Sequence, residues 1–147
     1  MRHVAFRMVL ALLLAIGIVR PSFGILQFYQ VFKAEYLDKH EDKEYAATVN
    51  KTANRCFVCH QGKKSKKNHN AFGKHLIEPL DWKKDSKDKE KIAEALKKAL
   101  ALHSDPKDEK SETYLDRVKA SKWPGGELKD LEKEPEKKDG EQAEVEK

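Results

Sequence analysis

The run Cys56-Phe57-Val58-Cys59-His60 is the strongest constraint on what this chain can fold into. On one helical turn, residues three apart point to the same side, so both thiols can reach a single planar ligand. The imidazole of His60 then emerges beneath that ligand, where a ring nitrogen can bind a metal. A Cys-x-x-Cys-His run is typical of covalent haem attachment. We therefore predict that Cys56 and Cys59 form thioethers to one haem c, and that His60 is the proximal iron ligand.

The N-terminal segment has the pattern of an export signal. Arg2 and Arg7 form a basic start, and an unbroken apolar run extends from residue 8 to residue 19. Ser22 and Gly24 then supply the small-x-small pattern of a cleavage site. A helix of that length reaches only about 18 Å, against a hydrocarbon core of roughly 30 Å. We expect cleavage after Gly24 rather than a retained anchor, and hence a periplasmic or secreted protein with no stable membrane span.

Charge divides the remaining chain into a basic body and an acidic tail. Residues 1–24 carry three arginines and no acid, so their removal lowers the net charge from +5 to +2. The high pI of the whole chain therefore does not indicate nucleic-acid binding, and we expect none. Residues 127–147 hold nine acids, five bases and only four apolar side chains. Because so few apolar groups cannot offset the cost of ordering, we predict a disordered charged tail after a single domain at 25–126.

Helical periodicity dominates the predicted domain. Apolar residues recur at helical spacing in the segments Ile25–His40, Asp42–Arg55 and Lys89–His103, and a last short helix contains Tyr114. No segment alternates in the way that a strand requires. The predicted fold class is all-α, a small helical domain around one covalent haem.

The second iron ligand is not a methionine, because Met1 and Met8 both lie in the predicted signal peptide. The mature imidazoles other than His60 are those of His40, His69, His75 and His103. His103 is the first candidate, since it falls on the apolar arc of the Lys89–His103 helix. His75 is an alternative. An iron with an open distal position would bind carbon monoxide or cyanide.

A lysine-rich stretch follows the Cys-x-x-Cys-His run. Five lysines and no acid lie between Gln61 and Leu76. Two interpretations remain open. The stretch is either a solvated loop or a docking patch for an acidic redox partner, whose association it would steer.

Two further blocks, Asn70-x-Phe72-Gly73-Lys74 and Trp123-Pro124-Gly125-Gly126, accompany the Cys-x-x-Cys-His run. In this combination the chain resembles small secreted bacterial mono-haem c-type cytochromes over about residues 45–126. The resemblance implies a cytochrome c-like domain and an electron carrier rather than an enzyme. It also implies His60 as the proximal ligand and thioethers at Cys56 and Cys59. The missing distal methionine departs from that pattern.

Three other functions fit parts of the same pattern. A haem-based ligand sensor or weak peroxidase would use His69 or His75 beside an open iron. Without haem, Cys56, Cys59, His69 and His75 approximate a Cys2His2 zinc site. A thiol oxidoreductase would use the two cysteines as a disulfide, although no βαβ pattern surrounds them.

Overall fold

The computed structural model describes residues 24–136, which form helices joined by turns, with no strand in that range. Its helices are α1 (Gly24–Phe32, extended by a π-helical turn at Lys33–Leu37), α2 (Lys43–Asn50), α3 (Ala71–Ile77), α4 (Lys89–Leu100), α5 (Tyr114–Lys119) and α6 (Leu128–Leu131). The all-α prediction is confirmed for this part of the chain. Residues 1–23, which hold nearly all of the predicted signal peptide, and residues 137–147 lie outside the described residues. No helix between 24 and 136 has both the length and the apolar character needed to cross a bilayer.

Short polar residues define where four of the helices begin. In each case the side chain accepts a hydrogen bond from the backbone N–H three residues later, which satisfies one of the unpaired donors of the first turn. The four capping residues are Asp42, Asn70, Asp88 and Thr113. Thr113 and Asp116 form a reciprocal capping box at the start of α5.

Helix α4 lies at the centre of the packing and contacts α1, α3 and α5. Its buried face consists of Ile92, Ala95, Leu96, Ala99 and Leu100. This is the apolar arc expected from the sequence, but the helix ends at Leu100, three residues before the predicted end. That shorter length moves His103 out of the helix and away from its apolar face.

The predicted helix from Asp42 to Arg55 is also shorter in the structure, because α2 ends at Asn50. Lys51 has extended backbone angles, and the Asn54 amide donates to the Thr48 carbonyl at 3.0 Å. The same carbonyl also accepts the Lys51 N–H at 3.4 Å, so both bonds close the last turn of the helix. The chain therefore turns before it reaches the Cys-x-x-Cys-His run.

The prediction that disorder begins at residue 127 is wrong for residues 127–136, which we call the C-terminal arm. Leu131 of α6 is only 3% exposed, and its carbonyl accepts a hydrogen bond from Gly62 N–H at 2.8 Å. Leu128 and Leu131 are three residues apart on one helical turn, and both pack against the core, which anchors this short segment. The ordered domain therefore extends past the predicted boundary at residue 126.

Candidate functional site

The Cys-x-x-Cys-His run lies on one tight turn between α2 and α3. Residues Arg55–Val58 form a single 3₁₀ turn, and the N–H groups of Cys59 and His60 both donate to the Cys56 carbonyl, at 3.3 and 2.9 Å. In 3₁₀ geometry, side chains three residues apart eclipse one another, so Cys56 and Cys59 lie on the same side. Both are free thiols and both are half-buried. Cys59 follows the turn as its C-cap, so a 3₁₀-type hydrogen bond rather than an α-helical turn joins the two cysteines.

The Cys59 thiol is held in its protonated form. Burial raises its pKa to about 12 and the neighbouring Cys56 adds to the rise, although part of the residue remains exposed. Redox-active cysteines of thiol oxidoreductases show the opposite behaviour, since their pKa is lowered to stabilise the thiolate. The environment of Cys59 therefore does not favour thiol–disulfide chemistry.

His60 is a buried, neutral imidazole with one unused nitrogen. The residue is 7% exposed, and its Nδ1 atom has no hydrogen-bond partner among residues 24–136. Burial first, and then the nearby His69 and Lys66, lower its pKa to about 4 against an opposing effect of the Asn68 backbone. A buried polar atom without a partner costs about 1–3 kcal/mol. A neutral imidazole is also the form that binds metals.

The structure places His69 directly beside His60. Their ring centroids are 4.7 Å apart with the planes tilted by 37°, and their backbones form an isolated antiparallel bridge. Gln61 N–H donates to the Asn68 carbonyl at 2.9 Å, and Asn70 N–H donates to the Cys59 carbonyl at 3.0 Å. Burial lowers the pKa of His69 as well. The loop between these residues therefore closes on itself and brings two neutral imidazoles together.

The two distal candidates chosen from the sequence lie elsewhere. His103 is exposed, and its Nδ1 atom is 2.6 Å from the carbonyl oxygen of Ser111. The expectation that it lies on the buried face of a helix is wrong, because α4 has already ended. His75 is exposed on α3, with its ring centroid 5.7 Å from that of Tyr114. A role for either residue as an iron ligand stays a prediction, but the imidazole that contacts His60 is that of His69.

His40 is a structural histidine. Its Nδ1 atom accepts a hydrogen bond from Asp42 N–H at 3.0 Å, so its Nε2 atom carries the proton and donates to the Val118 carbonyl at 2.7 Å. Both ring nitrogens are therefore engaged, and the residue ties the chain after α1 to α5.

No three or more His, Cys, Asp or Glu side chains come together as a possible metal site within residues 24–136. The four residues of the zinc alternative, Cys56, Cys59, His69 and His75, are therefore not gathered into a single ligand set. Within the described part of the chain, the contact that the structure does form here is the one between His60 and His69, on the segment that follows the two thiols.

Asn70 holds the backbone of the Cys-x-x-Cys-His turn. This side chain is 2% exposed, and its amide nitrogen donates to the carbonyls of Phe57, Val58 and His60 at 2.9, 3.2 and 3.3 Å. Its amide oxygen accepts from Gly73 N–H at 2.8 Å and caps α3. One buried amide therefore fixes both the turn and the following helix. Sequence reasoning missed this role, although an Asn followed three residues later by a helical N–H is a recognisable capping signal.

Two glycines allow the neighbouring segments to approach this cluster. A Cβ atom at Gly73 would overlap the Cys59 carbonyl, and one at Gly125 would overlap the Asn70 amide. The start of α3 therefore packs against the Cys59 backbone. The segment Trp123-Pro124-Gly125-Gly126 packs against the Asn70 side chain. One of the two blocks therefore contacts the Cys-x-x-Cys-His turn at Cys59, and the other contacts Asn70, whose side chain holds that turn.

Comparison with known proteins adds no relative to this picture: the chain matches no family model, no curated protein sequence and no solved structure.

Proposed function

We propose that this chain is an exported mono-haem c-type cytochrome that transfers electrons through one covalently bound haem c. In this proposal Cys56 and Cys59 form the two thioethers, and His60 is the proximal iron ligand. The observation that carries it is the state of His60, which is buried, neutral and unpartnered at Nδ1, directly after two free thiols on one side of a turn. The donor set therefore fits the chemistry of haem c.

Each residue of the turn has a separate task in this proposal. Cys56 and Cys59 would hold a porphyrin through two thioether bonds, and the tight 3₁₀ turn would keep both cysteines within reach of one ring. His60 would supply a neutral nitrogen to the iron, and its orientation depends on the backbone that Asn70 holds. When bound, the haem supplies a one-electron iron couple.

The state of the carboxyl groups favours a carrier over an acid–base enzyme. Catalytic acids generally have a raised pKa. Among the described residues, every carboxyl group with a resolved shift has its pKa lowered by hydrogen bonds or ion pairs. These groups cap helices or pair with lysines and arginines, so they are ionised structural groups at neutral pH.

A ligand sensor or weak peroxidase is the second candidate, and one observation favours it. His103 and His75 are both exposed, and His103 is hydrogen-bonded to Ser111. If neither reaches the iron, the distal position stays open unless His69 leaves its contact with the His60 ring. An open position would make exogenous ligands bind quickly.

The test of haem attachment is the mass of the exported product. The full chain is expressed in a bacterial host that attaches haem c, and the exported protein is collected. We expect the added mass of one haem, which stays with the polypeptide after acid-acetone extraction. The matched variant Cys56→Ser/Cys59→Ser should lose that mass. A wild-type product with both sulfurs free, or bridged to each other, would overturn the proposal.

The same product separates the carrier from the sensor. A carrier should show a reversible one-electron couple and slow, weak cyanide binding to its ferric form. Single His→Ala variants at positions 69, 75 and 103 then identify the distal ligand, since only the variant that lacks it should become high-spin. Rapid and tight cyanide binding by the wild-type protein would favour the second candidate.

A further inference from the structure

The loop after His60 contains a backbone site for an anion. Gly62 has a positive φ of 84°, and the two N–H groups that follow, those of Lys63 and Lys64, both donate to one carboxylate oxygen of Glu134, at 2.9 and 2.8 Å. Successive N–H groups after a left-handed residue form a concave anion site, often called a nest. We call residues 62–67 the lysine loop.

The lysine loop is shaped around this carboxylate. A Cβ atom at Gly62 would lie 2.5 Å from Glu134 Oε2, and the φ of 84° is one that residues with a Cβ rarely adopt, so glycine lets the carboxylate approach the loop closely. The Asn68 amide lies at 3.5 Å from the same oxygen. A carboxylate from a distant part of the chain is thus bound by main-chain donors that any carboxylate could use.

The C-terminal arm neutralises only part of the charge on the loop. Glu132 pairs with the Lys63 ammonium at 3.1 Å, whereas none of the other four lysines between Gln61 and Leu76 forms an ion pair within residues 24–136. One of them, Lys66, lies over the Phe57 ring at 5.6 Å. Among residues 24–136, an excess of positive charge therefore remains beside the Cys-x-x-Cys-His turn when the arm is docked.

We propose that the lysine loop is a carboxylate-binding site for an acidic segment of a partner protein, and that the C-terminal arm occupies it until the partner displaces Glu132 and Glu134. That this partner exchanges electrons rests on the proposed function; the binding site itself does not. The loop begins two residues after His60, so a partner bound there lies beside the proposed haem ligand. Because the arm competes from within the same chain, its effective concentration is high and weakens partner binding.

The test uses a labelled octaglutamate peptide and the full chain. Binding is measured by fluorescence anisotropy for the wild-type protein and for Glu132→Gln/Glu134→Gln. The matched control is Glu90→Gln/Glu94→Gln, which removes two exposed carboxylates from α4 and changes the net charge equally. We expect the arm variant to bind at least about five-fold more tightly, and the control variant to change by less than about two-fold. Equal effects of the two variants would overturn the proposal, because they would indicate general charge attraction.

A second measurement on the wild-type protein does not depend on any variant. Amide resonances of Lys63 and Lys64 should shift as octaglutamate is added, and those of Leu131 and Glu134 should shift at the same concentrations as the arm leaves. Peptide binding that leaves the Leu131 and Glu134 resonances unchanged would contradict displacement.

Both measurements are made with the haem-loaded and the haem-free chain. A product without haem overturns the proposed function and still allows the peptide test. If the haem-loaded protein shows no competition between the C-terminal arm and octaglutamate, the carboxylate-site proposal is overturned and the cytochrome proposal stands.

Discussion

Asn70 is the residue on which the conformation of the Cys-x-x-Cys-His turn most depends. Replacing it with alanine leaves the carbonyls of Phe57, Val58 and His60 without their donor and removes the cap of α3. A lost cap costs about 1 kcal/mol, and buried carbonyls without donors cost about 1–3 kcal/mol more. We expect Asn70→Ala to lower the free energy of unfolding by about 2–4 kcal/mol, measured by urea denaturation.

The matched control is Asn54→Ala. The Asn54 amide donates a single hydrogen bond, to the Thr48 carbonyl, from a half-buried position. We expect this variant to lose about 1 kcal/mol or less. Equal losses in the two variants would mean that the three carbonyl contacts of Asn70 add nothing.

The side chain of Asp42 makes the stability of the fold depend on pH. The Tyr45 N–H, and then the Ser121 hydroxyl, lower the pKa of Asp42 below its ordinary value of 3.8. A carboxyl whose pKa is lower in the folded state contributes stability above its unfolded pKa and loses it as the pH falls through the folded pKa. We therefore expect Asp42→Asn to lose less stability than the wild-type protein between pH 5 and about pH 2.

Urea denaturation at several pH values measures this difference. Ser121→Ala removes one of the two donors, so its pH dependence should lie between those of Asp42→Asn and the wild-type protein. Identical slopes in all three proteins would show that the acid sensitivity arises from other carboxyl groups.

At the scale of elements, the start of α3 is pressed against the Cys-x-x-Cys-His turn at Gly73. In an ordinary helix Gly→Ala gains about 1 kcal/mol. At Gly73 the new Cβ atom would overlap the Cys59 carbonyl, so the helix or the turn must move. We expect Gly73→Ala to destabilise the protein by about 1–3 kcal/mol in chemical denaturation.

The reverse change at an exposed helical position serves as the control. Ala47 is exposed on α2, so Ala47→Gly should lose about 1 kcal/mol from helix propensity alone. If Gly73→Ala stabilises the protein while Ala47→Gly destabilises it, propensity dominates at both positions, and the close approach to Cys59 is not significant.

The helices could be predicted from periodicity, but their ends and the organisation of the site could not. The buried face of α4 follows from the spacing of Ile92, Leu96 and Leu100, whereas the end at Leu100 depends on a backbone pairing between His103 and Thr113. Such pairing between distant residues has no local signal. For the same reason periodicity places His103 on a buried helix face, and it does not predict the contact between His60 and His69.

The contacts of Asn70 and Glu134 also cannot be predicted from the sequence, because their partners are distant along the chain. The sequence shows Asn70 as a helix cap, but its three carbonyl partners lie in an earlier turn. Composition alone assigned Glu134 to a disordered tail. The rule that polar segments stay disordered does not hold for residues 127–136, because a formed domain offers backbone donors and an apolar surface for Leu131.

At the scale of the whole molecule, the C-terminal arm is part of the folded domain. A chain that ends after Gly126 loses Leu131 and the partner of Gly62 N–H. We expect it to be less stable than a chain that ends after Glu136 by about 2–4 kcal/mol, as judged from the two thermal unfolding transitions. The amides of Lys63 and Lys64 should also exchange faster with solvent in the shorter chain.

Hydrogen exchange distinguishes this expectation from a general loss of stability. The arm forms no backbone hydrogen bond with α4, so exchange of the α4 amides should change only through global unfolding. Identical transition temperatures and identical exchange at Lys63 and Lys64 in the two chains would show that the arm is a passive extension.

The position of Gly125 has a consequence for the order of events during biosynthesis. A polypeptide is made from its amino end, so both sulfurs emerge from the ribosome well before the glycine that packs against the Asn70 amide. In that interval Asn70 lacks the packing of Gly125, and an enzyme could change the conformation of the turn to expose Cys56 and Cys59. Once the later segment arrives, the backbone around them is confined. A modification of these sulfurs would therefore be easiest on a nascent chain, and a finished, folded protein would accept it slowly.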